Sequence, residues 1–593
     1  MSTLNLGAVG NCSFSALIDP RGRYLWSCLP RFDGDPVFNA LLTGEDEPAE
    51  GIFSIDLEDL AETEQFYEQN TAILVTRLHG ASGSLEIRDL APRFFWRDRI
   101  FRPQTLVRRV KPISGTPRIS IRCRPTFSYG NSRPQITRGS NHVCYVGPEM
   151  TLRLTTDAPI DYVLGETRFN LSAPLDLILG PDETLTGSVA DTARDFDERT
   201  CSYWRNWVSS LALPFEWQEA VIRAAITLKL CTYEPTGAII AAMTTSIPEA
   251  PNSGRNWDYR FCWLRDAFFV VRALNSLGTV QTMENYFRYL MDLVADAGGG
   301  HLQPVFGVGR ERDLIENILE NFAGYRGMGP VRRGNQAYEH YQHDVYGNVI
   351  LGAAQIFFDR RIQMKPTITD FHLLEQAGEQ AYKVYNMPDA GMWELRSRSR
   401  VHTSSSLMCW AACDRLAGIA GRIGETARVR YWRERAEEIK ETILAQSWSE
   451  KRQAFVESFG GETLDASVLL MAEVGFLDPR DPRFVSTVDQ LEKTLASGPY
   501  MMRYEAADDF GKPEVSFNIC AFWRLDALTR IGRQEEAREI FEALLKTRNP
   551  LGMLSEDTHP VTGEMWGNYP QTYSMVGIIN GARRLSKPWE SVV

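Results

Sequence analysis

Two acidic side chains stand where a pair of carboxyl groups could divide acid and base work. Glu394 directly follows Trp393 in GMWE, and Glu556 lies in LSED, ahead of a final apolar stretch. An indole beside a carboxyl lowers the local dielectric and raises its pKa, which keeps a glutamic acid protonated near neutrality. Cleavage of a glycosidic bond needs such an acid on one side and a carboxylate, base or nucleophile, on the other. The second group must come from a separate element facing the first. Glu556, far along the chain, meets that requirement.

Five segments with dense rings and charges surround these positions in the sequence. They are RNWDYRFCWLRD (255–266), RRGNQAYEHYQHDVYGN (332–348), PDAGMWELRSRSRVHTSSS (388–406), GPYMMRYEAADDFGKPEVSF (498–517) and LSEDTHPVTGEMWGNYPQTYS (554–574). Flat aromatic faces pack on the C–H face of a pyranose ring, and carboxylates and guanidinium forks fix its hydroxyls by charge-assisted hydrogen bonds. Candidate binding residues in these segments include Trp257, Asp258, Arg260, Trp393 and Tyr504. His340 and His343, spaced i, i+3 beside acids in EHYQHD, suggest a metal site, but no third ligand cluster of fitting spacing accompanies them. They read as polar residues of a loop or helix end, and neither a metal nor a cofactor is expected. There is no G-x-S-x-G elbow and no GxxxxGK[ST] loop; GVGRERD (307–313) carries a bare GxG.

The elements that must position these loops change character along the chain. Residues 1–190 hold short runs such as TAILVTRLHG, GSLEIRDLAP and RISIRCRPTF, rich in β-branched residues and punctuated by Gly, Pro, Asn and Asp. They predict an antiparallel β-sandwich. Residues 191–213 turn helical and charged and predict a linker. From 214 to 593 the period becomes helical: Val221, Ala225 and Leu228 form one stripe, and Ala537, Ile540, Phe541 and Leu544 another. Helices that stop at glycine and restart, as in SLGTVQ, RIGETA and RIGRQE, read as αα-hairpins. Long, irregular, aromatic loops between the hairpins favour a closed α/α barrel, with function at one end, over an open solenoid.

The chain has 593 residues, 24% charged and 44% hydrophobic, with a formal net charge of −12. Acidity argues against a nucleic-acid partner. No run of about 18 apolar residues predicts a membrane span, and the first residues lack the basic-then-apolar pattern of a secretory signal. Ten scattered cysteines without a CxxC pair read as buried thiols in a reducing compartment, so the expected location is cytoplasmic. A homo-oligomer is compatible with the sequence.

WDYRFCWLRDA, GMWE, the stretch Gly334, Asn335, Gln342 and Asp344 to Gly347, and LSE…TGE..GN.PQ.YS together resemble glycoside hydrolase family 15, the glucoamylase family. NCSFSALIDPRGRYLWSCLPRFD resembles the start of its prokaryotic two-domain members. That resemblance implies an N-terminal antiparallel β-supersandwich, a helical linker and a C-terminal (α/α)6 barrel. It also implies inversion at the anomeric carbon, with Glu394 as general acid and Glu556 as general base. Trp263, Arg265 and Asp266 match the family's WxRD grip on the terminal glucose, and Arg503 matches a further arginine of that subsite. An inverting pair leaves room for a water, roughly 6.5–9.5 Å between carboxyls; Gln571 and Tyr573 are placed beside that water. The sequence departs from the family at Asn348, where an acid is usual, and in VHTSSS, which lacks a lysine near the third serine. The first expectation is an exo-acting α-glucoside hydrolase of glucoamylase type, releasing glucose from non-reducing ends of α-glucans. The alternatives are a trehalase with the same catalytic pair and a carbohydrate-binding protein without catalysis.

Overall fold

The computed structural model describes residues 3–591. Alternating apolar positions in the first part of the chain pair into two antiparallel sheets. One sheet has the order Gly7–Gly10, Ser15–Ile18, Tyr24–Leu29, Ile52–Leu57, Arg118–Arg124, Phe169–Asn170, with Asp35–Phe38 added alongside Tyr24–Leu29. The other runs from Gln135–Arg138 through His142–Val146, Thr151–Thr156, Leu175–Pro181, Leu106–Gly115, Gly83–Leu90 and Leu74–Gly80 to Leu60–Tyr67. In Arg118–Arg124 the burial alternates, with Ile119, Ile121 and Cys123 inside and Arg118 and Arg124 outside, the signature of a sandwich strand with one dry face. Between the sheets Arg108 and Asp89 form a fully buried pair, Nε to Oδ1 2.8 Å, and the Tyr24 hydroxyl donates to the same carboxylate.

The helix Val189–Ser209 follows, capped by the Ser188 side chain. It lies on the second sheet through Asp197, which takes Arg88 and Arg109 at 2.9 and 3.0 Å, and through Val189 and Ala193, buried with Leu90, Val107 and Ile178. Among the described residues twelve further α-helices then alternate between two layers. The inner ones are Leu264–Ser276, Asp344–Phe358, Thr403–Ile423, Leu470–Glu473, Asn518–Arg530 and Thr572–Leu585. Their ring closes where Thr572–Leu585 packs on Leu264–Ser276. Inner helices are buried nearly all round, as in Asp344–Phe358. The outer Thr426–Gln446 buries only Trp432, Ala436, Ile439 and Ile443, the narrow stripe of a surface helix. Gly278, Gly424 and Gly532, at φ +94°, +88° and +94°, stop inner helices and turn the chain outward, a backbone conformation that costs glycine least.

The sheets and the barrel meet along a seam of polar contacts. Trp26 Nε1 donates to Met243 O at 2.8 Å, and Arg31 reaches Glu311 at 2.6 Å, which gives the GVGRERD loop a structural task. Arg260 is the centre of the seam. It forks onto Asp258 at 2.9 and 2.7 Å and donates to Gly34 O at 3.0 Å and toward the Tyr129 hydroxyl at 3.4 Å; both members of the ion pair are wholly buried. Removing one partner of such a pair leaves a bare charge in a low dielectric. Arg260→Met is expected to cost about 3–5 kcal/mol, read as a lower denaturant midpoint. Asp258→Asn combined with Arg260→Met recovers part of that loss; a double variant no more stable than the single one would show that packing, not charge, holds the seam.

Candidate active site

The inner helices begin at one end of the barrel, and the loops that lead into five of them wall a shared cavity. One wall is an extended segment, 255–261, bonded to 241–249 through Ser246 N to Trp257 O, Ala242 N to Tyr259 O and Ala241 N to Phe261 O. Side chains of an extended segment alternate. Arg255, Trp257 and Tyr259 face the cavity, while Asn256 turns away to Ser246 O and Met328 O, and Asp258 and Arg260 turn into the seam. The expectation that Asp258 and Arg260 bind the ligand is therefore corrected: they sit one residue out of phase with the cavity wall.

Cys262–Trp263 then pairs with Val305–Phe306, and the helix Leu264–Ser276 starts at once. This abrupt change delivers Trp263, Arg265 and Asp266 to the cavity, with Asp266 in the first helical turn, where the backbone dipole favours a negative charge. Trp263 Nε1 donates to Glu394 Oε1 at 2.6 Å, and Arg265 Nη2 lies 3.5 Å from the same oxygen. Arg265 is itself oriented by Gln342 and Asp344, at 3.1 and 3.2 Å. Asn348, the departure from the family pattern, is buried and donates to Asp344 at 2.9 Å. It belongs to the support of Arg265 and not to the cavity wall. Ser406 is likewise buried, donating to Tyr385 O.

Glu394 sits at φ +61°, in a turn closed by Leu395 N donating to Ala390 O at 3.1 Å. A left-handed glutamate carries a local strain of about 1–3 kcal/mol, of the kind that collects at functional sites. The neighbouring indole does not lie against its carboxyl as the sequence suggests. Trp393 turns away, donating to Asp465 at 2.7 Å and packing among Tyr504, Phe517 and Trp523. The ring serving Glu394 is that of Trp263.

Glu556 comes from the short sheet that joins Ser516–Phe517, Asp557–Thr558 and Met565–Trp566. Its Oε1 accepts from the Tyr259 hydroxyl at 2.7 Å, and its buried Oε2 has no protein partner. Gly567 (φ +75°) makes this position possible, since a β-carbon there would come 2.9 Å from Oε2. Tyr259 meets Trp263 edge to face, centroids 5.3 Å apart. The two glutamates are thus held by the polar tips of one interlocked aromatic pair.

Trp393, Arg503, Tyr504, Gln571 and Tyr573 also line the cavity. Gln571 caps the helix Thr572–Leu585 by accepting from Ser574 N at 2.8 Å. Tyr573 lies against Phe269 and Trp523, and its buried hydroxyl has no protein partner. Arg503 pairs with Glu249 and lies 3.5 Å from Asp557. Residues not singled out from the sequence include Tyr259, Glu249, Arg255, Arg396, Asp508, Asp509 and Phe510. The period-2 alternation with Trp257 carried the signal for Arg255 and Tyr259. Glu249, six positions before Arg255 in IPEAPNSGR, gave none. His340 lines the cavity, whereas His343 precedes the helix Asp344–Phe358. Among the described residues no three His, Cys, Asp or Glu side chains are grouped to hold a metal.

Burial dominates the electrostatics. It pushes Glu556 up to about 8, helped by the Glu249 charge and opposed by Arg503 and the Tyr259 hydroxyl. Asp557 is raised for the same first reason and by Glu556. Asp266 is pushed up to about 6 by burial, with Arg265 pulling it down and Glu394 adding to the rise. Arg503 stays charged despite its burial because Glu249 and Asp557 flank it.

Residues 217–583 match the family model described as Glycosyl hydrolases family 15, and residues 5–166 match the one described as Trehalase-like, N-terminal. A trehalase of Mycolicibacterium smegmatis is 33% identical over 609 aligned residues, covering 97% of this chain and 90% of that protein. A trehalase of Thermoplasma volcanium is 30% identical, covering 98% and 93%. A bacterial glucoamylase complexed with acarbose superposes with a TM-score of 0.68 over 99% of this chain and 94% of its own, at 13% identity, a likeness of fold alone. That fold is the antiparallel sheet domain followed by an (α/α)6 barrel. None of the described helices is long and apolar enough to cross a membrane.

Proposed function

We propose that this chain, which belongs to glycosyl hydrolases family 15 and is a glycoside hydrolase, cleaves α,α-trehalose to two molecules of glucose. The observation that carries the reading is similarity along the whole chain, sheets and barrel together, to trehalases at 30–33% identity. It supports the alternative drawn from the sequence better than the glucan-directed reading placed first there, which now rests on a fold shared at 13% identity.

One glucose is held by Trp263, Arg265 and Asp266, with Arg503 on the same subsite. Glu394 gives its proton to the bridging oxygen as the C1–O bond breaks. A water on the opposite face attacks C1 and gives its proton to Glu556, whose unpartnered Oε2 supports this role. Gln571 and Tyr573 border the water. The held glucose leaves inverted, as the β anomer, and the departing glucose keeps its α configuration.

Proton NMR at early times is expected to show α- and β-glucose in equal amounts; two α anomers would mean retention and sink the mechanism. Glucose release from trehalose, maltose and maltotriose, measured in parallel, tests the substrate. Glu394→Gln and Glu556→Gln are each expected to lower kcat by about 10²–10⁴-fold; undiminished turnover in either would remove the assigned pair. Since the base works ionised and burial raises Glu556, activity should rise with pH along an acid limb above the ordinary glutamate value of about 4.3. Glu249→Gln removes a like charge and releases Arg503 toward Glu556. Both effects favour the carboxylate, so the acid limb of kcat/KM should move to lower pH.

A further inference from the structure

Beyond Glu394 three separate stretches of chain are knitted together at the rim of the cavity. Asp508 takes the Arg255 guanidinium with both carboxylate oxygens, accepts from the Tyr504 hydroxyl and accepts from Phe510 N at 2.8 Å. Arg255 also donates to Gly511 O at 3.0 Å, which fixes the 504–511 loop against 249–257. Asp509 reaches the opposite way. It accepts from Arg396 N at 2.7 Å, from Ser397 N at 3.2 Å and from the Ser397 hydroxyl, and so ties the same loop to the one that presents Glu394. Phe510 meets Trp257 edge to face at 5.4 Å, and the Arg396 guanidinium covers the Trp257 ring at 4.4 Å. Glu316 holds Arg396 at 2.9 Å and Arg332 at 2.6 Å, so the cations over that ring are themselves anchored.

Arg255, Trp257, Arg396, Asp508, Asp509 and Phe510 all line the cavity that holds Glu394. The residues matched to the family's grip on the terminal glucose touch Glu394 from one flank, through Trp263 and Arg265. The knitted rim holds the same loop by different contacts, through Arg396 and Ser397, two and three residues beyond Glu394. We infer that this rim is a wall that limits the leaving group to a single sugar unit, with Asp509 as the latch that sets chain-length specificity. The inference rests on the trehalase reading. In trehalose both anomeric carbons belong to the scissile bond, so the departing glucose carries no further chain. In a maltooligosaccharide the departing sugar continues through its own C1, and a fixed wall at this place excludes that continuation. Specificity then comes from obstruction of the longer ligand as much as from contacts to the shorter one.

The test is the ratio of kcat/KM for trehalose to that for maltotriose, with maltose alongside, in the wild type, Asp509→Ala, Asp509→Asn and Phe510→Ala. Thermal melts establish that each variant is folded. Loss of a carboxylate that accepts several hydrogen bonds is expected to lower the ratio about tenfold or more in Asp509→Ala. Asp509→Asn keeps an acceptor oxygen and should fall between. An unchanged ratio in Asp509→Ala and Phe510→Ala would overturn the wall and leave the trehalase reading standing. If the wild type ignores trehalose yet stops at maltose, the wall stands and that reading falls. If it ignores trehalose and cuts maltotriose as fast as maltose, both fall.

Discussion

A cavity that gathers six carboxyl groups cannot leave them bare. Glu249, Asp266, Glu394, Asp508, Asp509 and Glu556 face one space, and each unmatched charge taken out of water costs several kcal/mol. Most of the site can be understood as the settlement of that cost. Arg255, in the wall segment, Arg265, in the helix it feeds, and Arg503, far along the chain, are each pulled to a carboxylate. Indole and phenol donors add to these, Trp257 to Glu249 and Tyr259 to Glu556 among them, and backbone N–H groups serve Asp509. The oxygen left without a protein partner, Glu556 Oε2, then stands out as a place where chemistry has been given priority over satisfaction.

The barrel makes such concentration possible. Six inner helices begin at one end, and the entry loops of five of them contribute side chains to the cavity. Side chains from positions as distant as 249 and 556 meet because the ring closes, not because any local segment brings them near. The sheet domain supports the same end from behind: Trp26 reaches across to Met243 O in the wall, and Arg260 reaches back from the wall to Gly34 O.

Much of this was legible in the chain. Rings next to charges in inter-helix loops marked Trp263, Arg265, Asp266, Glu394, Arg503 and Glu556, and the glycine stops marked the hairpins. What misled was position parity. Asp258 and Arg260 have the composition of ligand-binding residues, but in an extended segment only alternate side chains reach a given face, and theirs is the seam. Adjacency misled in the same way at Trp393, whose ring leaves Glu394 because the intervening turn is left-handed. Glu249 was invisible since its role is fixed by Arg503, 254 positions later. Whether the sugar is a disaccharide or a chain end was not legible in motifs shared by both kinds of enzyme.

The segment 255–261 carries a wider consequence. Arg255, Trp257 and Tyr259 shape the cavity, and Arg260, held by Asp258, locks the sheets to the barrel, so the same short segment answers to two selections at once. A change that loosens the seam will also tilt Trp257 and Tyr259, and one that reshapes the cavity will disturb the seam. The N-terminal sheets are then no detachable accessory. They are the back plate of the catalytic wall, and the two halves of the chain are free to diverge only together.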